Sequence, residues 1–322
     1  MLRPALLLPT ILSCSCLCSA QAVSKVQFES VLRGPMYESG YVLDWNWPVL
    51  STLSVYGPSA KFLYTVQNRE TDRHYFASAI DADGRMARAY HINLDRSEEG
   101  RIDVLDMSGQ VLRTINTGSY QTTSLIYAPD HTLWTVGFVG CTLDDEFNVV
   151  RHYASTGEKL GEAVPWSQIQ GSFNSCTALQ PLIGYRVLFS ANDRFGFIGN
   201  NGKTLAKWIE VGFDGKLLGQ YDLSPYHGRY FNPRAMTSSG DVYAQIGENG
   251  DYHKGYAVLD RSSCTWRKVS GCPEGRLIGA DGDNLVFAQS GDGATSLEKV
   301  AATALVVEDS ETAAVAAVSK RN

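Results

Sequence analysis

Helical periodicity is what this chain has least of. The one sustained run, "SLEKVAATALVVEDSETAAVAAVSK", stands near the C-terminus, so a mainly helical fold is excluded. After the first two dozen residues no apolar stretch is long enough to cross a bilayer as a helix. Basic clustering is missing too: 28 lysines and arginines are scattered through a chain of net charge −6. Nucleic-acid binding, which needs a basic stripe, is therefore excluded. No G-x-S-x-G, P-loop, C-x-x-C or H-E-x-x-H pattern occurs. That argues against a serine-hydrolase elbow, a P-loop nucleotide site, a thiol redox pair and a zincin.

Cysteine is sparse in the body of the chain. Of seven cysteines, Cys14, Cys16 and Cys18 lie in the first 22 residues. There Arg3 precedes a short apolar run that ends at Ala20-Gln21-Ala22, the pattern of a secretory signal peptide cleaved before Val23. The expected location is outside the cell or in the periplasm. The rival reading is a lipid anchor through Cys14, because Ile11-Leu12-Ser13-Cys14 is an imperfect lipobox. Four cysteines remain, an even number that in an exported chain suggests two disulfides. Cys264 and Cys272 bracket seven residues and are expected to staple one hairpin, which leaves Cys141 with Cys176. Other pairings, and free thiols, also fit the count.

What the chain does have is turns. "LDMSGQVL", "YASTGEKL" and "GFDGKLL" place Gly109, Gly157 and Gly215 at equivalent points, and "LDRSSCTW" puts Ser263 there. A second series, "DADGRM", "PDHTLW", "IGYRVLF", "SSGDVYA" and "DGDNLVFA", precedes each turn; its first apolar residues are Met86, Leu133, Val187, Val242 and Leu285. Gly and Asx suit these turns through positive φ or side-chain capping. The β-branched and aromatic residues between them fill pleated, half-buried faces. Two interleaved hairpin series at a spacing of roughly 45 to 55 residues are the trace of four-stranded antiparallel blades. The expectation is an all-β propeller over residues 23–308 with a tail at 309–322. Six blades are favoured and five also fit, since "SAIDADGRMARAY" permits a second phase. The pattern resembles NHL-repeat and related six-bladed propellers: "IDVLDMSGQVLRTINTG" reads like their outer hairpin and "NPRAMTSSGDVYAQ" like their innermost strand and turn. That resemblance implies a fold and leaves function open.

In such a ring, segments entering the inner strands line one mouth. Those segments offer Trp45, Trp47, Tyr230, Asn232 and Arg234 as candidate ligand-binding residues. Aromatics beside an amide and a guanidinium suit a polar small molecule, a glycan or a protein partner; packing between blades is the plainer role for Trp45, Trp47 and Tyr230. The leading expectation is a secreted binding module. The alternative is a propeller enzyme of the lyase or lactonase kind with a metal in the central channel. The six histidines show no ligand spacing, and no catalytic residue, metal ligand or cofactor follows from the sequence. His131 reads as a turn residue. "DADGR", "LDDEF" and "ADGDN" gather carboxylates but lack a full calcium loop, and turn formation accounts for them.

Overall fold

The computed structural model describes residues 25–45, 52–67, 69–70, 73–94, 97–139, 146–169, 188–200, 206–223, 229–248 and 251–308. The segment read as a leader, the tail from 309, Trp47, Cys141 and Cys176 lie outside them.

The chain opens with β1 (Lys25–Phe28). Blade one is β2 (Pro35–Glu38), β3 (Tyr41–Trp45), β4 (Thr52–Tyr56) and β5 (Phe62–Gln67). After the short β6 (Arg69–Glu70), blade two is β7 (Arg73–Ile80), β8 (Met86–Leu94), β9 (Ser97–Leu105) and β10 (Val111–Gly118). Blade three is β11 (Tyr120–Tyr127), β12 (Leu133–Val139), β13 (Asn148–Tyr153) and β14 (Lys159–Pro165), followed by the single turn α1 (Trp166–Ile169). Blade four is β15 (Leu188–Ser190), β16 (Arg194–Asn200), β17 (Ala206–Gly212) and β18 (Leu217–Asp222). Blade five is β19 (Arg229–Met236), β20 (Val242–Glu248), β21 (Asp251–Asp260) and β22 (Thr265–Ser270). Blade six holds β23 (Arg276–Asp281), β24 (Asn284–Gly291) and β25 (Ala294–Ala301), and β26 (Val306–Val307) ends the series. Every pairing within a blade is antiparallel. The protein is a six-bladed β-propeller.

Two pairings close and finish the ring. Blade six borrows its fourth strand from the N-terminus, with Lys25 opposite Glu298 and Phe28 opposite Thr295. The C-terminal β26 instead adds a fifth strand to blade five, pairing Val307 with Val269. The inner strands β7 and β11, β11 and β15, β15 and β19, β19 and β23, and β23 and β2 pack side by side, and Ile80 N–H of β7 donates to Glu38 of β2, so β2, β7, β11, β15, β19 and β23 surround the axis.

Six apolar cores stand between the blades. One example joins Met36, Leu43 and Trp45 of blade one to Ile80, Met86 and Leu105 of blade two. Another joins Trp134 and Val136 of blade three to Phe195 and Ile209 of blade four. The last seam packs Tyr37 and Val42 against Ile278 and Val286. Because each blade is covered on both faces, β11 and β12 are buried almost continuously and show no alternation. The buried carboxylate of Glu210 ties two blades together: Arg261 donates to it through Nε and Nη2 at 2.9 and 2.7 Å, and Trp208 Nε1 at 2.9 Å.

The two turn series of the sequence are the outer and inner hairpins. Gly109, Gly157 and Gly215 take φ of 82, 91 and 83°. "SAIDADGRMARAY" is the inner hairpin β7–β8, which fixes the phase and the count of six. Three readings are corrected. In the fourth outer hairpin the left-handed position belongs to Cys264 (φ 54°), not Ser263, because that turn is one residue longer. In blade four the inner turn is at Ala191–Arg194, so the first apolar residue after it is Phe195; Val187 precedes the inner strand. Finally, Cys264 and Cys272 are free thiols. They flank opposite ends of β22 instead of facing each other across a hairpin. A six-residue strand spans about 20 Å, whereas a disulfide needs Cα atoms within about 7 Å.

Candidate functional site

Each inner strand runs toward one face of the disc and turns there into the second strand. On this hairpin face the six inner turns converge on a cavity of about 210 Å3 at the axis. Every blade contributes: Glu38 from blade one, Asp81 from two, Tyr127 and His131 from three, Ser190 and Asn192 from four, Ser238 from five and Asp281 from six.

The turns are stitched to one another around this mouth. Ile80 N–H of blade two donates to Glu38 Oε2 of blade one at 3.1 Å. Asn192 N–H donates to Ser238 O at 3.3 Å, and Ser238 N–H to Gly282 O at 2.9 Å. Lys299 Nζ donates to Asp281 Oδ2 at 2.5 Å and to Tyr37 OH at 3.2 Å, bridging blades six and one. Burial raises the pKa of Tyr37 and Tyr127, so both phenols stay protonated at neutral pH.

Between blades two and three the turn of β7–β8 meets His131. Asp81 Oδ1 accepts from Asp83 N–H at 3.0 Å and Arg85 N–H at 2.8 Å, and Oδ2 accepts from Arg85 Nε at 2.9 Å. His131 Nδ1 lies 3.3 Å from Asp81 Oδ2 and 3.7 Å from Asp83 Oδ2. His131 has φ of 63°, whereas the corresponding inner turns of blades two and five use Gly84 and Gly240. A side chain in that conformation costs on the order of 1 kcal/mol. The cost places an imidazole against the neighbouring blade at the rim of the cavity.

The ligand atoms of Asp81, Asp83 and His131 all lie within 4.8 Å of one another. Arg85 already holds both carboxylates, at 2.9 and 3.3 Å. A divalent cation would have to displace that guanidinium, so the arrangement is better suited to a hydrogen-bonded knot than to a metal.

The residues singled out from sequence are placed elsewhere. Trp45 is buried in the core between blades one and two, on the second strand of its blade. Asn232, also buried, and Arg234, at a β-bulge, lie within the inner strand β19. The backbone of Tyr230 pairs with Gly247 in the same strand; its side chain and Trp47 lie outside the described residues. The axial cavity stands at the opposite ends of the inner strands from the segments that enter them. Sequence reading passed over Glu38, Asp81, His131 and Asp281 as sites, because turn formation explained the aspartates and the histidine. Their signal was positional: the last residue of the inner strand in several repeats is acidic or stands beside an acid.

No protein-family model matches the chain, and no curated protein matches it. Among solved structures, a protein from Bacteroides fragilis NCTC 9343 aligns at 9% identity over 89% of this chain and 95% of its own, with a TM-score of 0.47. Oligogalacturonate lyase in complex with manganese aligns at 11% identity over 84% and 77%, with a TM-score of 0.44. A member of the duf4221 family from Bacteroides vulgatus ATCC 8482 aligns at 9% over 89% and 97%, with a TM-score of 0.43. The class defined by the fold is the six-bladed propeller, and no residue role is carried over from these likenesses.

Proposed function

We propose that this propeller is a binding module whose site is the axial mouth on the hairpin face. Its ligand is a small polar molecule of monosaccharide or amino-acid size that carries hydroxyl donors and a positive charge. One observation carries the reading: a single cavity is lined by residues from all six blades, and three carboxylates, Glu38, Asp81 and Asp281, stand in it against one imidazole, with Arg85 and Lys299 paired to Asp81 and Asp281 from outside the lining. Carboxylates accept hydrogen bonds from ammonium and hydroxyl groups and are penalised beside another anion. The cavity lies below the roughly 300 Å3 at which drug-sized pockets begin, which favours one sugar ring or one amino acid over an extended glycan. A secretory leader ending at Ala22 would deliver the module outside the cytoplasm, and no helix among the described residues is long and apolar enough to cross a membrane.

A lyase- or lactonase-like reaction on a metal is the second reading, favoured by the closeness of Asp81, Asp83 and His131. A panel of glucosamine, glucose and glucuronate, followed by saturation-transfer NMR with and without added manganese, separates the two. Binding of glucosamine ahead of glucose, without metal and weakened in Glu38→Gln and Asp281→Asn, supports the binding module. Metal-dependent loss of substrate, abolished by His131→Ala, would replace it with the enzyme. N-terminal sequencing of the secreted protein tests the leader, with Val23 as the expected first residue.

A further inference from the structure

A second cavity, of about 590 Å3, lies over the seam where blade six meets blade one. It is lined by Arg33, Pro35, Glu274, Arg276, Gln289 and Ser290, with Leu32 and Ala288 beneath. These residues precede or open β2 and β23 or lie toward the end of β24, so the cavity stands at the opposite ends of the strands that reach the axial mouth. We propose that it is a separate binding site for a small molecule bearing a carboxylate.

Two arginines line it, and guanidinium is the group that grips a carboxylate with paired, parallel hydrogen bonds. Arg276 is held in place: its Nη2 donates to Pro35 O at 2.9 Å, across the seam. Both arginine-bearing segments are drawn close to their neighbours by an adjoining glycine. A Cβ on Gly34 would stand 2.8 Å from Trp45 O, and one on Gly275, whose φ is 125°, would stand 2.6 Å from Ala288 O. Gln289 Nε2 donates to Glu274 O and fixes the third wall. The rim is thus built from constrained backbone.

Charge then narrows the ligand. Glu274 stands on the rim, and the carboxylate of Asp44 is buried beside the two arginines, where Gly34 N–H donates to its Oδ1 at 2.7 Å. Set against the two arginines, these acids leave no surplus positive charge for a dianionic phosphate, so the site suits a singly charged carboxylate held by directed guanidinium hydrogen bonds. Its volume falls within the range of ordinary small-molecule pockets. Leu32, Pro35 and Ala288 supply an apolar floor for the carbon skeleton, while Gln289 and Ser290 offer hydroxyl partners.

The test titrates the full-length secreted protein with glucuronate, with glucose as the uncharged ring and with inorganic sulfate as the bare anion, read by calorimetry and saturation-transfer NMR. Glucuronate should bind at least about ten-fold more tightly than glucose or sulfate, a difference of about 1.4 kcal/mol. Arg33→Gln, at an exposed position, and Arg276→Lys, which keeps the charge but loses the fork, should each weaken glucuronate about ten-fold or more. Lys216→Gln removes an exposed charge on an outer turn far along the chain and should leave the affinity unchanged. Equal binding of glucuronate and glucose, binding of sulfate alone, or glucuronate affinity unmoved in a folded Arg33→Gln protein would overturn the proposal. Glucosamine binding at the axial mouth is measured with a different ligand and different variants, so either site can fail without the other.

Discussion

Strands β2 and β23 each end at two cavities, and the two ends differ in charge for different reasons. On the hairpin face the chain must reverse within a few residues, and aspartates serve that reversal. Asp81 accepts two backbone N–H groups of its own turn, Asp106 and Asp260 do the same in theirs, and Asp130 accepts the N–H and hydroxyl of Thr132. Much of the acidity there follows from turn chemistry. Glu38 and Asp281 are exceptions, since one accepts from the next blade and the other from Lys299 on β25. At the other end no tight turn calls for Arg33 or Arg276, although Arg276 also ties β23 to β2. The lesson is that an acidic propeller mouth by itself says little, whereas a carboxylate or guanidinium in a mouth without a turn to cap says more about ligands.

The comparison can be broken most strongly at Asp81. Asp81→Ala removes two turn hydrogen bonds and an ion pair from a buried site and should cost about 2–3 kcal/mol. In a chain of this size that is a fall in Tm of roughly 3–5 °C, read by calorimetry. Asp281→Asn should cost less than about 1 kcal/mol, because no turn depends on its carboxylate. An equal loss in both would show that the two acids have one structural job.

The pH dependence sharpens the contrast. Serine hydroxyls and turn backbone N–H groups lower the pKa of Asp106 and Asp260, and the Lys216 ammonium lowers that of Asp214. The native state binds fewer protons there than the unfolded chain, so their contribution is complete above the ordinary carboxylate value and is lost as pH falls through the lowered ones. Asp44 runs the other way: burial raises its pKa against the opposing Gly34 and Arg33 N–H groups and the arginine charges. Its contribution is largest below the ordinary carboxylate value and fades as pH rises through the raised one. Urea melts from about pH 3 to about pH 7 should show stability rising overall with pH. Asp44→Asn should steepen that rise by removing the opposing group.

The smallest expected effect is chemical. Cys264 is exposed in its turn, while burial pushes the Cys272 thiol up to about 11. Brief alkylation at neutral pH should label Cys264 well ahead of Cys272. Resistance of both to alkylation until a reductant is added would restore the disulfide that the sequence suggested.

The blade repeat was legible because hairpin turns demand particular residues: Gly109, Gly157 and Gly215 mark three outer turns without help from packing. Ring closure was less so, since nothing in "KVQF" announces that it pairs with β25 some 270 residues later. The phase slipped in blade four, where "SAND" reverses the chain without a glycine. The candidate site was legible only in part. Aromatics such as Trp45 stand out in a sequence, but seam packing uses them as readily as ligands do. Glu38 has no turn or motif signature; only its position at the end of an inner strand marks it, and that position is read from the repeat.

A crystal of the secreted protein grown with glucosamine tests the central claim most directly. The account predicts the sugar on the axis of the hairpin face, its ammonium within hydrogen-bond distance of Glu38 or Asp281 and its hydroxyls directed at the Ser190, Asn192 and Ser238 turns. A glucosamine bound only elsewhere on the protein, or one that binds Glu38→Gln/Asp281→Asn as tightly as the unaltered chain, would contradict it.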